Sequence, residues 1–287
     1  GYYASGEGSY IQHIGDYYYL FMPYGGLTSD GGYEMEVFRS KNPDGPYVDP
    51  KGTSALFDRY LMNYGTNGSF RGEKILGSYE NWGFMTTGKK TSFSTPGELS
   101  QGHNSAITDA QGRSFLIYHT RFNDGSEGHT VRVHQLFTTS NGWSAAAPFE
   151  FTGETVNDDS IATRQRFSAH ELAGTYQVLV HKQGVDYINR ETVKPIAVTL
   201  TEDGKVTGAL TGTWSLTEGT SYMTLKAGGD TYQAVVVEQH MEPYTIKAIA
   251  FTGVGTAATV WGYKMEDAYA LSYLLRTATM PVGQGKT

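Results

Sequence analysis

Two stretches of the chain repeat one pattern about 96 residues apart, and this repetition restricts the possible folds more than any other feature. Glu7 leads the first copy and His103 leads the second. Each leading residue is predicted to lie in a turn, followed by a strand, a polar or glycine-rich loop and a second strand that alternates apolar and polar residues. The predicted strands are Asp16–Met22, Tyr33–Ser40, Ser114–His119 and Thr130–Phe137. Repeats of this kind are typical of β-propeller blades arranged around an axis.

The composition agrees with a protein made of short strands. The 287 residues include 36 Gly and 21 Tyr, which favours strands joined by tight turns. A net charge of −7 argues against a nucleic-acid partner. The sequence has no long apolar run, so we expect no membrane span. The absence of Cys excludes a disulfide but does not decide the cellular compartment.

The second half of the chain has a different character and predicts a separate domain. Residues 152–160 are polar and lack periodicity, so we place a domain boundary near residues 152–168. About eight short strands follow up to residue 264, among them Ile196–Leu200, which precedes a turn predicted at Glu202–Lys205. Strands at this spacing fit a small closed barrel or a sandwich. We therefore expect a repeat domain at residues 1–160, a β-barrel domain at 161–265 and a helical or extended tail at 266–287. Trp214 and Trp261 are expected in the barrel core.

Glu7 is the strongest candidate for chemistry. It sits between Gly6 and Gly8, just before a strand with aromatic residues on both faces. Packing against such a strand can strip water from a carboxyl group and favour its protonated form, which a general acid needs. The alternative is a solvated loop glutamate. The residues near Glu7 do not decide between these interpretations by themselves.

Glu7 and His103 together carry a family resemblance. Glu7-Gly8-Ser9-Tyr10-Ile11 before a tyrosine-rich strand, and Gly102-His103-Asn104-Ser105 before Phe115–His119, resemble glycoside hydrolase family 43, specifically its α-L-arabinanases. The resemblance implies an all-β fold with the last blades of a five-bladed β-propeller at residues 1–160. It also implies that residues 161–265 are the C-terminal β-barrel domain of the larger bacterial members.

The resemblance also implies roles for single residues. Glu7 would be the general acid, and His103 would help to hold a calcium ion near the propeller axis, largely through water. A hydrogen-bonded core histidine is the alternative for His103. Four further residues are candidates for substrate binding, although ordinary turn roles are open for each of them: Tyr24, Gly25, Asn104 and Ser105. We interpret His119, His129 and His134 as surface or strand histidines.

One part of the family pattern is missing from the sequence. The family inverts the anomeric centre with two carboxylates, and the aspartate that serves as base precedes the acid. Only six residues precede Glu7, and none is Asp. Asp16, Asp30 and Asp44 match no family motif. We therefore expect missing N-terminal blades, either removed from this chain or supplied as a separate N-terminal propeller fragment.

The predicted function is hydrolysis of α-1,5-linked L-arabinan or arabino-oligosaccharides by a secreted or periplasmic enzyme. The sequence does not distinguish endo from exo action. The alternative is a non-catalytic carbohydrate-binding protein built from a degenerate propeller and a barrel. A third possibility is a barrel that binds an apolar ligand in the manner of a lipocalin, although short strands with Trp inside favour a filled barrel.

Overall fold

The computed structural model describes residues 2–3, 6–57, 71–87, 91–183, 192–242 and 246–265, and this part of the chain is almost entirely β-structure. Its first half contains β1 (Tyr2–Tyr3), β2 (Tyr10–Ile14), β3 (Tyr17–Tyr24), β4 (Glu34–Ser40), β5 (Leu56–Phe57), β6 (Glu73–Leu76), β7 (Trp82–Thr87), β8 (Thr91–Thr95), β9 (Glu98–Thr108), β10 (Ser114–Phe122), β11 (Thr130–Thr138) and β12 (Ser144–Ala146). The second half contains α1 (Asp158–Thr163), α2 (Ala169–Leu172), β13 (Gly174–Lys182), β14 (Ile196–Leu200), β15 (Lys205–Gly208), β16 (Gly212–Leu216), β17 (Tyr222–Ala227), β18 (Asp230–Met241), β19 (Ile246–Val254) and β20 (Ala258–Lys264). The all-β prediction is confirmed.

The sequence repeat folds into two antiparallel sheets of the same design. One sheet has the order β2-β3-β4-β6 and the other has β9-β10-β11-β12. Strands β2 and β9 lie next to each other. A hydrogen bond joins them, in which the Tyr10 hydroxyl donates to the carbonyl oxygen of Ala106 at 3.0 Å. The remaining strands form two small pairs, β1-β5 and β7-β8. A five-bladed propeller stays a prediction.

The prediction that His103 lies in a turn is wrong. His103 lies inside β9, a strand of 11 residues that pairs with β10 along most of its length. Gly102 and the polar residues after it suggested a turn, but they lie where β9 and β10 pair irregularly. The register between these two strands shifts near His119. A β-bulge re-aims side chains within a strand, so the polar motif marks a deformed strand rather than a connection.

The predicted barrel is confirmed as a closed antiparallel barrel of eight strands. Strands β13 to β20 pair in sequence order, and β20 returns to pair with β13. Trp214 is buried inside, where its indole nitrogen donates to the carbonyl oxygen of Thr201 at 2.9 Å. Leu172 of α2 packs into the same interior cluster. The barrel interior is therefore lined by packed apolar side chains, as the presence of Trp predicted.

The outer wall of the barrel packs against the two sheets through aromatic rings. Trp261 is buried, but it belongs to the cluster between barrel and sheets rather than to the barrel interior, so its predicted place was wrong. Its ring lies 6.4 Å from that of Trp82 and 5.7 Å from that of Tyr79. Alternation along the barrel strands explains the difference, because successive side chains point to opposite faces.

A buried ionic network joins β9 and β11 to the barrel. Arg132 of β11 forms an ion pair with Glu98 at 3.3 Å, with Glu150 at 2.7 Å, and with Glu242 beyond β18. The Tyr118 hydroxyl also donates to Glu98 at 2.7 Å. Burial alone would raise the pKa of the Glu98 carboxyl, but its interactions with His134 and Arg132 bring that pKa below its usual range. Buried charges are tolerated only with such partners.

The connector between sheets and barrel contains two short, well-capped helices. Asn157 caps α1 by accepting from the backbone N–H of Ser160, and Ser168 forms a capping box with Glu171 at α2. Among the described residues, no helix is long and apolar enough to cross a membrane. The predicted tail at 266–287 lies outside the described residues.

His181 gives a prediction about acid stability. Its ring is fully buried against Trp261, with centroids 4.9 Å apart, and burial together with the charge of Lys74 lowers the pKa of the imidazole to about 3. The unfolded state binds a proton near pH 6.5, whereas the folded state does not, so stability falls as the pH drops from about 6.5 toward 3 by up to about 1.4 kcal/mol per pH unit. We expect His181→Leu to flatten the dependence of Tm on pH between 6.5 and 4.5.

The matched control is His13→Leu, because the His13 side chain is exposed on β2. That variant should keep the wild-type slope of Tm against pH. An unchanged slope in His181→Leu would show that the buried imidazole does not cause the acid sensitivity.

Candidate active site

Glu7 lies in a tight turn that the end of β3 holds in place. Its backbone N–H donates to the carbonyl oxygen of Pro23 at 3.3 Å. A Cβ atom at Gly6 would lie 2.7 Å from that same oxygen, so only glycine fits beside it. The Glu7 side chain is exposed. The described residues therefore fix the backbone of Glu7. They do not remove its carboxylate from water, although packing on the aromatic strand was expected to do so.

Gly8 brings Glu7 and His103 together. Gly8 has a φ of 57°, and a Cβ atom at this position would lie 2.9 Å from three atoms of the His103 ring. The imidazole thus packs directly on the turn that carries Glu7. The two residues that were predicted to share a site from separate copies of the repeat are neighbours in the structure.

Gly8→Ala is expected to lower kcat for the proposed hydrolysis on the order of 10²-fold, because the new methyl group displaces either His103 or the Glu7 turn. Gly15→Ala is the matched control. Gly15 also has a φ of 57°, but no atom lies within 4 Å of its added Cβ. Both variants should lose roughly 1 kcal/mol of stability through backbone strain, and Gly8→Ala should lose more because of its contact with the His103 ring. Equal kcat values for the two variants would contradict a functional contact between Gly8 and His103.

The backbone of β9 is strained where it presents His103. His103 has a φ of 51° and Ser100 a φ of 54°, a region that residues other than glycine rarely occupy. A Cβ atom at Gly102 would lie 2.0 Å from the Tyr33 ring, so β9 runs flat against that tyrosine. Backbone strain of this kind is found preferentially at functional sites. Among the described residues, His103 is exposed rather than packed into a core.

His119 is a neighbour of the site that the sequence interpretation missed. Its ring stacks on Tyr33 at 5.9 Å and lies 6.4 Å from His103 and 5.0 Å from His129. Burial is the first cause that lowers the pKa of the His119 imidazole, followed by the charges of His129 and His103. The position of His119 could have been predicted from the sequence by treating β9 and β10 as a hairpin. Counting outward from the turn at residues 109–113 places His119 opposite His103. His134, by contrast, is fully buried.

The donor groups around His103 do not make a calcium site by themselves. Calcium takes six to eight oxygen ligands. Within the described ranges, no group of three or more His, Asp or Glu side chains is arranged to hold a metal ion. The His103 imidazole is exposed, and its role in holding a calcium ion stays a prediction.

The loop after β3 forms part of the rim near Glu7, but Tyr24 is not exposed there. Tyr24 is only 4% exposed and packs in a cluster with Met22 and Phe38. Its burial argues against the substrate contact predicted for it, and its ring instead lies against Gly6. Gly25 has a φ of 99°, and a Cβ atom there would lie 2.4 Å from the Gly32 carbonyl oxygen, so this glycine closes the loop.

A carboxylate ties this loop to the loop after β10. Glu127 accepts from the backbone N–H of Ser29 at 3.1 Å and from its hydroxyl at 2.5 Å. Arg121 donates to the carbonyl oxygens of Leu27 and Glu127 from a buried position. Both loops leave the sheets at the end where Glu7 and His103 lie. They therefore form one connected rim.

Asn104 and Ser105 follow His103 on β9. Asn104 is 6% exposed, and neither its amide nitrogen nor its amide oxygen has a hydrogen-bond partner among the described residues. Ser105 is half-buried and pairs with Ile117 of β10. The turn-capping alternative is excluded for both residues, because they lie inside a strand. A binding role for them stays a prediction.

The structure does not bring a downstream aspartate to Glu7. Asp16 and Asp44 are exposed in turns, and the Asp30 carboxylate accepts from the Thr28 hydroxyl at 2.9 Å. The candidate site therefore contains Glu7, with His103 and His119 beside it, and none of these aspartates is positioned as a partner.

Comparison with known proteins supports the residue-level resemblance. Residues 148–262 match a family model described as the C-terminal lipocalin-like domain of glycoside hydrolase family 43. An extracellular endo-α-(1→5)-L-arabinanase of Thermotoga petrophila is 37% identical over 276 residues, which is 93% of this chain and 54% of the relative. Extracellular endo-α-(1→5)-L-arabinanase 2 of Bacillus subtilis is 36% identical and covers 90% of this chain and 52% of the relative.

A solved structure gives the same picture. The crystal structure of a family 43 glycoside hydrolase from Bacillus licheniformis superposes with a TM-score of 0.77 at 33% identity, covering 91% of this chain and 56% of that chain. The chain thus spans about half the length of the relatives that it matches.

Proposed function

We propose, on the premise that the chain belongs to glycoside hydrolase family 43, that it is part of an enzyme that cleaves α-1,5-linked L-arabinan. The observation that carries the proposal is the contact between the Glu7 turn and His103, which joins the two motifs that resemble the arabinanases. Both relatives that match at least 90% of the chain are named extracellular endo-arabinanases. We therefore assign endo action, and a place outside the cytoplasm, to this chain.

Glu7 acts as general acid in the proposed reaction. Its carboxylic acid donates a proton to the glycosidic oxygen as the bond to the anomeric carbon breaks. The departing part of the arabinan chain therefore leaves as a neutral alcohol. A carboxylate on the opposite face activates water, which attacks the anomeric carbon and inverts it. We assign this base to propeller blades that correspond to the unmatched half of the relatives.

The two four-stranded sheets are the last blades of a five-bladed propeller in this proposal. Residues 1–160 belong to that propeller, residues 161–265 to the accessory barrel and residues 266–287 to a tail. The other blades pack on this chain as a preceding segment or as a second polypeptide, because blade-to-blade burial does not require an unbroken chain. Their packing also supplies what the exposed Glu7 carboxylate lacks, a surface that excludes water.

Calcium is part of the proposal only as an ion held mainly by water. His103 would face it through a water molecule, since the described residues offer no oxygen cage. A bound calcium ion would supply positive charge near the cleft. The residues of this chain do the rest: Gly8 seats the His103 ring, and Gly25, Asn104 and Ser105 are the candidates for polar contacts with the sugar.

The direct test is incubation of the purified protein, with any polypeptide that co-purifies with it, with linear α-1,5-arabinan, followed by separation of the products by size. We expect arabino-oligosaccharides of several lengths early in the reaction. Binding of arabinan without any hydrolysis would contradict the proposal and favour the non-catalytic carbohydrate-binding alternative.

Denaturing intact-mass analysis of the same sample tests the second-polypeptide form, and a single species of 31.5 kDa with full activity would exclude blades outside this chain.

A further inference from the structure

A pocket far from Glu7 along the chain contains two arginines without acidic partners. It has a volume of about 490 Å³ and lies between the connector at residues 152–167 and the outer wall formed by β18 and β19. Arg164 and Arg166 both line it. Neither guanidinium group takes part in a hydrogen bond or ion pair with any described residue, and the Nε atom of Arg166 is buried without a partner. None of the residues of the Glu7 site lines this pocket.

The acidic groups of the pocket are already engaged elsewhere. Glu154 accepts from the backbone N–H of Thr152 at 2.9 Å and from that of His240 at 3.3 Å. Glu238 pairs with Lys247 at 2.8 Å. The lining residues Arg164, Arg166 and Lys247 carry three positive charges against the two negative charges of Glu154 and Glu238, so the pocket is net positive on a chain whose net charge is −7. Burial, followed by the nearby charge of Arg164, lowers the pKa of the Arg166 guanidinium.

The shape and lining of the pocket indicate more than a simple anion. A volume of about 490 Å³ is larger than a phosphate or sulfate ion needs. Phe167 lines it with a half-buried ring that packs on the barrel interior cluster, so it offers a fixed apolar face. Gln165 is held by the backbone N–H of Gly219 at 3.2 Å. An apolar face beside fork-shaped cationic donors suits a sugar ring that carries a carboxylate.

We propose that this pocket binds a uronic acid residue of a polysaccharide, with Arg164 and Arg166 holding the carboxylate and Phe167 lying against the sugar ring. The guanidinium groups are suited to this because they present planar pairs of donors that match a carboxylate. Occupation of the pocket gives the missing partner to the Arg166 Nε. Binding here is independent of hydrolysis at Glu7, and it would attach the chain to an acidic polysaccharide.

The test measures binding of a galacturonic acid oligosaccharide to the full chain by calorimetry at low ionic strength. We expect the acidic form to bind at least 10-fold more tightly than the methyl-esterified form. Arg164→Ala and Arg166→Ala should each weaken binding of the acidic form by at least 10-fold, and Arg166→Lys should fall between Arg166→Ala and the wild type. Lys226→Ala is the matched control, because Lys226 is an exposed cation on β17 outside the pocket. It should change binding less than 2-fold.

Three results would overturn the proposal. The first is equal affinity for the acidic and esterified oligosaccharides, and the second is an equal loss of binding in Lys226→Ala and Arg166→Ala. The third is displacement of the oligosaccharide by inorganic phosphate at a similar concentration, which would show a simple anion site. Because binding is the readout, a failure of the arabinan assay leaves this test intact.

Discussion

Glu7→Gln is expected to lower kcat for hydrolysis of linear α-1,5-arabinan by about 10²- to 10⁴-fold, the usual contribution of a general acid. The amide keeps the size of the side chain but has no acidic proton to give to the leaving oxygen. The Glu7 side chain is exposed and its backbone is held by Pro23, so the fold should be unaffected. Affinity for arabinan, measured without turnover, should stay within a few fold of the wild type.

Glu218→Gln is the matched control for this experiment. Glu218 is an exposed glutamate in the turn between β16 and β17, and its replacement removes the same charge from the chain. It should leave kcat unchanged. If Glu7→Gln also keeps its turnover, the acid lies elsewhere and the resemblance of the Glu7 motif has been misread.

Arg132→Met is expected to cause the largest loss of stability. Removing one partner from a buried ionic network costs about 3–5 kcal/mol, because the remaining charges stay buried without compensation. Glu98 is fully buried and Glu242 is only 8% exposed, so neither carboxylate can turn to water. The decrease in Tm should be on the order of 10 °C. The network joins β9 and β11 to the barrel, so we also expect looser packing between them.

Lys205→Ala is the control for a surface pair. Lys205 and Asp203 lie 2.5 Å apart, but their side chains are 66% and 58% exposed. Exposed pairs of this kind contribute little to stability, so Tm should change by a few degrees at most. A similar Tm for the two variants would show that the Arg132 network is not a stabilising joint between the sheets and the barrel.

The sequence predicted the barrel and the repeat because both rest on local signals. Strand β14 is observed with the predicted bounds, Ile196–Leu200, since alternation and flanking turns mark it clearly. The short strand β15 was missed, because Lys205–Gly208 has a single buried residue and looks like part of a turn. Trp261 was assigned to the wrong face, since the sequence does not show which wall of the barrel is covered by another part of the protein.

The candidate site was predicted only in part. Glu7 and His103 were found from their motifs, and the structure brings them together through Gly8. Tyr24 was misjudged because a tyrosine beside a glycine-rich loop looks exposed, whereas in the structure it fills a cluster beneath that loop. His119 was missed because its place depends on the pairing of β9 with β10, and β9 had been interpreted as a turn.

The most direct test of the central claim is the leaving-group dependence of Glu7→Gln. A nitrophenyl glycoside of an arabino-oligosaccharide has a leaving group that departs without protonation, whereas arabinan does not. If Glu7 is the general acid, the variant should lose about 10²- to 10⁴-fold in kcat on arabinan but less than about 10-fold on the nitrophenyl substrate. An equal loss on both substrates would contradict the account, because it would mean that Glu7 does something other than donate a proton to the leaving oxygen.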